Sequence, residues 1–161
     1  MPDSLRILTV TTAIGCVLVA GVFFAFSTFV MRGLNRLPSA QGLQAMQSIN
    51  VTAINPLFML ALFGTGAACL SLAIWSLTDL GASHSPLLIG AAVLYLVGVI
   101  GLTIGYHVPH NDTLAAVHAT APDAAEKWKH YATGWTTWNH VRTIAPLIST
   151  MLLIAALSRE G

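Results

Sequence analysis

The sequence predicts an all-α fold: a transmembrane four-helix bundle, with short interfacial helices in the connections between spans one and two and between spans three and four. Two observations lead there. Only 8% of the 161 residues are charged and 55% are hydrophobic, whereas a soluble domain carries about 25% charged residues. The apolar residues also gather in four runs, each close to or above the roughly 20 residues a helix needs to cross the hydrocarbon core. The length leaves room for a single integral membrane domain over residues 1–161. A net charge of +1 gives no basis for nucleic acid as a partner. Membrane lipid is the expected surrounding.

The first run, LRILTVTTAIGCVLVAGVFFAFSTFVM at 5–31, is too long for the apolar part of a signal peptide. It ends in Phe23, Phe24, Phe26 and Phe29 rather than in small residues, so it is expected to stay as an anchor. Polarity rises over 32–50. Pro38 and Ser39 can start a helix there, and Leu43, Met46 and Ile49 recur along one side of it, as in a short interfacial helix. Asn55-Pro56 opens the second span, 55–77, with asparagine as cap and proline in the first turn. The stretch TDLGASHSP at 78–86 reads as a turn, and Ser85-Pro86 opens the third span, 86–106.

Gly64, Gly66, Ala67 and Ala68 in span two, and Gly90, Gly98, Gly101 and Gly105 in span three, allow helices to approach closely, within the bundle or between copies in a homo-oligomer. Residues 112–133 are too polar to cross. Asp123 is placed to cap a helix that holds Glu126, Trp128 and Tyr131 and leads into the fourth span, 135–157. Cys16 and Cys69 sit inside apolar runs without CxxC spacing and read as buried thiols. Arg32, Arg36, Lys127, Lys129 and Arg142 lie at one side of the membrane, against Arg6 and Arg159 at the other. That excess places the 1–2 and 3–4 connections in the cytoplasm and both termini outside, in a bacterial inner membrane.

An up-and-down bundle brings four chain segments to one mouth: Phe29–Asn35, Asn50–Asn55, Tyr106–Asp112 and Trp135–Arg142. Nearly all the unusual polar residues fall in them, and the opposite mouth carries ordinary turn and terminal residues. Polar groups facing hydrocarbon are costly, so this gathering is the main functional clue. Asn139 and Arg142 are three apart on one helix face. Arg142 can hold an anionic or phenolic oxygen with its fork of donors, or snorkel to headgroups. His140 suits acid–base work near neutral pH, or a structural place. Asn50 and Asn55 either orient a substrate carbonyl or act as caps; Asn111 and Asp112 can cap the helix that follows, and Asp112 can also join nearby histidines in a metal site. His107, His110, His130 and His140 are candidate ligands of a metal or a haem; histidines and tryptophans also favour the wet edge of the membrane for its own sake. No CxxCH and no GxGxxG occurs.

Taken together, GVFFAFSTFVMRGLNRLP, AMQSIN followed by NPLF, VPHNDTL and WTTWNHVRT resemble the anthrone oxygenase-like family of small membrane proteins, long catalogued as a domain of unknown function. The resemblance covers about residues 10–155. Trp135, Trp138, Asn139 and Arg142 keep the last motif, and Pro109 and Asn111 keep part of the third, while His107 stands for an asparagine and His110 for a hydrophobic residue. Those two histidines would mark a metal or another reactive partner particular to this branch.

The resemblance implies a compact four-span protein that uses O2 on small apolar aromatic substrates, anthrone- or quinol-like. His140 would act as base, with Arg142, Asn139 and Asn111 about the developing phenolate. Asn50, Asn55, Trp135, Trp138 and Phe26 would line the substrate site, and the substrate would enter from the bilayer past Phe26 and Trp138. Such chemistry needs no cofactor. The alternatives are a non-enzymatic membrane binding or assembly protein, and a histidine-ligated metal or haem protein.

Overall fold

The computed structural model describes residues 1–159. The chain runs through α1 (Asp3–Leu34), α2 (Ser39–Thr52), α3 (Pro56–Leu77), α4 (Ser85–Ala115) and α5 (Ala124–Ser158). All but α2 are long and apolar enough to cross a membrane, so the molecule is an integral membrane protein built as a four-helix bundle. Around the bundle the order is α1, α5, α4, α3, with α1 also touching α3. Helix α2 lies across the mouth, against α5 and the end of α4.

The caps explain several boundaries. The Asn55 carboxamide oxygen accepts the Phe58 N–H at 3.0 Å, and Pro56 sits in the first turn. Asp123 stands at the start of α5 but makes no side-chain cap bond. Its carboxylate instead takes the Lys127 ammonium at 2.8 Å, which holds the carboxyl below its ordinary range. The 3–4 connection is also shorter than the sequence implied. Helix α4 continues past Tyr106 to Ala115, and the helix foreseen before the fourth span is the opening of α5 itself.

Three of the spanning helices contain wider, π-helical turns: Phe26–Val30 in α1, Leu60–Gly64 in α3, and Leu96–Gly101 and Thr103–His107 in α4. The last of these ends two residues before Pro109, whose ring and missing N–H would otherwise break the ladder. Irregular backbone at membrane depth needs other partners, and here side chains supply them. Asn139 donates to the Phe23 carbonyl at 2.8 Å, the Tyr95 hydroxyl donates to Leu62 at 2.9 Å, and a ring nitrogen of His107 faces Leu102 at 3.1 Å.

Packing divides into two apolar clusters with no residue in common. One fills the bundle toward the termini and the α3–α4 turn, around Cys16, Val19, Leu72, Leu88, Tyr95 and Leu153. The other fastens α2 to the mouth ends of α1, α4 and α5 through Met31, Leu43, Met46, Leu114, Trp128 and Trp135. Cys16 and Cys69 are both buried free thiols of the first. Small residues are used within the chain: a Cβ on Gly98 would fall 2.5 Å from the Ala145 Cβ, the point where α4 and α5 approach most closely by this measure. Gly105, by contrast, faces open space.

Candidate functional site

Between the two clusters lies a cavity of about 710 Å³, within the roughly 300–1,000 Å³ of small-molecule sites. Its walls come from α2 and the link at 53–55 that joins it to α3, the first half of α3, the second half of α4, and α1 and α5 behind. The π-helical turns of α1, α3 and α4 each contribute, through Phe26, Leu62 and Phe63, and Thr103 and His107. Most of the lining is apolar or aromatic.

Arg142 is the one Lys or Arg side chain in the lining. It is only 4% exposed. Counting from the Ser158 end of α5 places it about 24 Å along the helix at about 1.5 Å per residue, within a hydrocarbon layer roughly 30 Å thick. Its guanidinium rests over the Phe23 ring at 4.3 Å and the Trp135 ring at 5.1 Å. Nη2 donates to Asn139 Oδ1 at 2.9 Å and Nη1 to Thr103 Oγ1 at 3.4 Å. Nε is buried with no hydrogen-bond partner, and among the described residues no carboxylate lies in ion-pairing range of the group.

Asn139 is 0% exposed and fully committed. Its amide group donates to the Phe23 carbonyl at 2.8 Å and to Ser27 Oγ at 2.9 Å, while Oδ1 accepts Arg142. The neighbouring protons then have one consistent arrangement. Thr143 Oγ1 donates to the Asn139 carbonyl at 3.0 Å, so Ser27 Oγ donates to Thr143 Oγ1 at 3.0 Å. Asn139 therefore positions Arg142 and ties α5 to α1, with no donor left for a ligand.

Asn111 offers what Asn139 lacks. The Trp135 indole N–H, which can only donate, reaches Asn111 Oδ1 at 3.1 Å, and this fixes the orientation of the amide. The Tyr131 hydroxyl donates to the same oxygen at 2.8 Å and accepts from Asn50 at 3.4 Å. The Asn111 NH₂ group is left as a free donor in the cavity wall. Asp112 lines the exposed mouth, and Gln47 of α2 is held by the Leu114 and Val117 carbonyls at 2.9 and 3.0 Å.

The sequence-derived candidates sort clearly. Arg142, Asn111, Asn50, Asn55, Trp135 and Phe26 all line the cavity, although Asn55 is occupied as a cap. Trp138 does not; it is 43% exposed and leans on Tyr106 at the outer edge of α4. His140 is exposed and outside the lining, because two residues before Arg142 means about 200° round the helix. His140→Ala is accordingly expected to leave stability within about 0.5 kcal/mol and turnover unchanged, as melting and oxygen uptake would show.

The four histidines do not converge either. His107 is buried with both ring nitrogens facing backbone carbonyls, of Leu102 and of Trp135 at 3.1 and 3.4 Å. His110 stacks on Tyr106 at 3.8 Å and bonds its carbonyl. With His130 it faces a separate hollow at the membrane surface. Among the described residues no three His, Cys, Asp or Glu side chains come together as ligands. Thr103, Ser27, Thr143 and the Phe23 ring were not among the sequence-derived candidates, since hydroxyls and a phenylalanine in apolar runs carry no local signal.

Residues 57–152 match the sequence model of a family described as anthrone oxygenase. No curated protein and no solved structure matches the chain.

Proposed function

The chain belongs to the anthrone oxygenase family, and from that premise we propose that its cavity binds a flat, apolar aromatic substrate as an oxygen anion and directs its oxidation by O2. The observation that carries this reading is Arg142: a cation set at membrane depth, oriented by Asn139 and Thr103, flanked by aromatic rings and lacking a carboxylate. Charged groups at that depth are ordinarily paired, and a phenolate or enolate is the partner the apolar walls admit. The guanidinium fork matches such an oxygen, and the Asn111 NH₂ supplies a second donor.

In this scheme the substrate has an acidic CH₂ conjugated to a carbonyl or phenol. Asp112, at the mouth, accepts one proton, and the resulting enolate oxygen settles on Arg142. The anion passes one electron to O2, giving a substrate radical and superoxide, which join in a new C–O bond. The peroxide takes up a proton. The remaining hydrogen then leaves that carbon as a proton while the O–O bond breaks and hydroxide departs, so that CH₂ and O2 become C=O and H2O. The electron donor is the substrate anion itself, and the scheme calls for no cofactor. The excess of Arg32, Arg36, Lys127 and Lys129 beside the mouth supports a cytoplasmic orientation for it in a bacterial inner membrane.

Purified protein supplied with an anthrone is expected to consume oxygen and form quinone in equal amounts, faster than the anthrone autoxidises. Quinone forming no faster with protein than without, while the ligand still binds, would reassign the cavity to binding alone.

A further inference from the structure

The cavity opens sideways. Helices α3 and α4 pack closely near their shared turn, through Leu72, Leu88 and Tyr95, but the first turns of α3 and the last turns of α4 part from one another. The cavity occupies that gap. Phe63 of α3 and Val108 of α4 line it while each remains 45% exposed on the outer surface. Helix α3 has 22 residues, about 33 Å at 1.5 Å per residue, which is close to the hydrocarbon thickness. Asn55 therefore lies at the membrane surface and Phe63 roughly 12 Å deeper, so the apolar part of the opening faces acyl chains. The upper edge is polar, with Asn55, Thr52 and Asp112. Arg142, about 24 Å from the Ser158 end of a layer roughly 30 Å thick, lies somewhat nearer the mouth surface than Phe63 and behind the gap.

We infer that the α3–α4 gap is a lateral port for a hydroxylated aromatic ring that carries an alkyl or prenyl tail, the ring reaching Arg142 while the tail stays among the lipids. The inference rests on the anion-binding reading of the cavity. A closed pocket of this volume would have to enclose the tail as well, and a long tail would not fit. An opening onto the bilayer removes that limit, and the tail raises the local concentration of substrate beside the port. The occupant is thus a lipid-soluble phenol or quinol precursor, distinct from a small water-soluble aromatic that would come through the polar edge.

Binding, rather than turnover, tests this. Protein in lipid nanodiscs is titrated with a hydroxyanthraquinone, which is already oxidised, and with derivatives bearing alkyl chains of up to about twelve carbons. Affinities referred to the lipid-phase concentration are expected to stay within about threefold along the series. Val108→Trp is expected to weaken the longest derivative by about tenfold while changing the unsubstituted ring less. A steady fall in affinity with chain length in the unaltered protein, reaching about tenfold, overturns the port. That measurement needs no variant to fold. Since no oxygen chemistry is involved, a failure of the oxygenase reading leaves these outcomes intact, and tail intolerance leaves the oxygenase reading intact.

Discussion

Replacing Arg142 by methionine is expected to lower oxygenation of an anthrone by about 100-fold or more, the usual consequence of removing a donor to a developing oxyanion. The same substitution is expected to leave the thermal midpoint unchanged or raise it. The reason is the setting of the charge. Arg142 is buried between Phe23 and Trp135, its Nε has no partner, and no described carboxylate neutralises it. The exchange relieves an unneutralised buried charge, and this offsets the cost of the Asn139 Oδ1 acceptor that it leaves without a partner. Loss of activity with retained stability is the pattern of a residue kept for its ligand. Lysine at 142 keeps the charge but loses the planar fork, and is expected to recover part of the binding and little of the rate. Oxygen uptake and melting in detergent read both quantities, and a methionine variant with undiminished turnover would sink the assignment.

Asn139→Leu is expected to do the opposite, costing about 3 kcal/mol of stability. Three hydrogen bonds depend on this carboxamide, to the Phe23 carbonyl, to Ser27 and from Arg142. A leucine leaves a backbone carbonyl beside a π-helical turn without its side-chain donor, and leaves the guanidinium with one long hydrogen bond, to Thr103. A buried group stripped of its partner costs more than the bond was worth. The double variant Asn139→Leu, Arg142→Met removes the stranded cation as well. It is expected to regain about 1–2 kcal/mol relative to additivity, and additive losses in the cycle would mean that Asn139 does not position Arg142.

Much of this architecture was legible because hydropathy is a long-range property of a helix. Four apolar runs, the Asn55-Pro56 start and the helix after Pro38 all have local causes, and the structure retains each. The ends of α4 and α5 were less visible. Polar residues after Tyr106 suggest an exit from the membrane, yet a helix can leave the hydrocarbon without ending, and Pro109 is accommodated by the wider turn before it. Those wider turns leave no mark in composition. They alter which residues face inward, so that Phe23 and Ser27 meet the site while Phe29, expected at the mouth, points outward.

Helical spacing did contain the answer for His140, since a residue at 140 cannot share a face with 139 and 142 together. The imidazole has the chemistry for proton transfer without the position for it. The joint role of Asn111, Tyr131 and Trp135 spans two helices and had no sequence signature at all.

The two apolar clusters have a consequence for how such a protein changes over time. Neither owns the hollow between them. Val22, Met59 and Ala115 look into it from helices secured elsewhere, and belong to neither cluster. Exchanges at those positions reshape what is accommodated without loosening either block, while Arg142, resting on one aromatic ring from each, stays where the blocks meet. A lineage built on this plan can change which molecule the hollow admits while the cation that faces it stays in place.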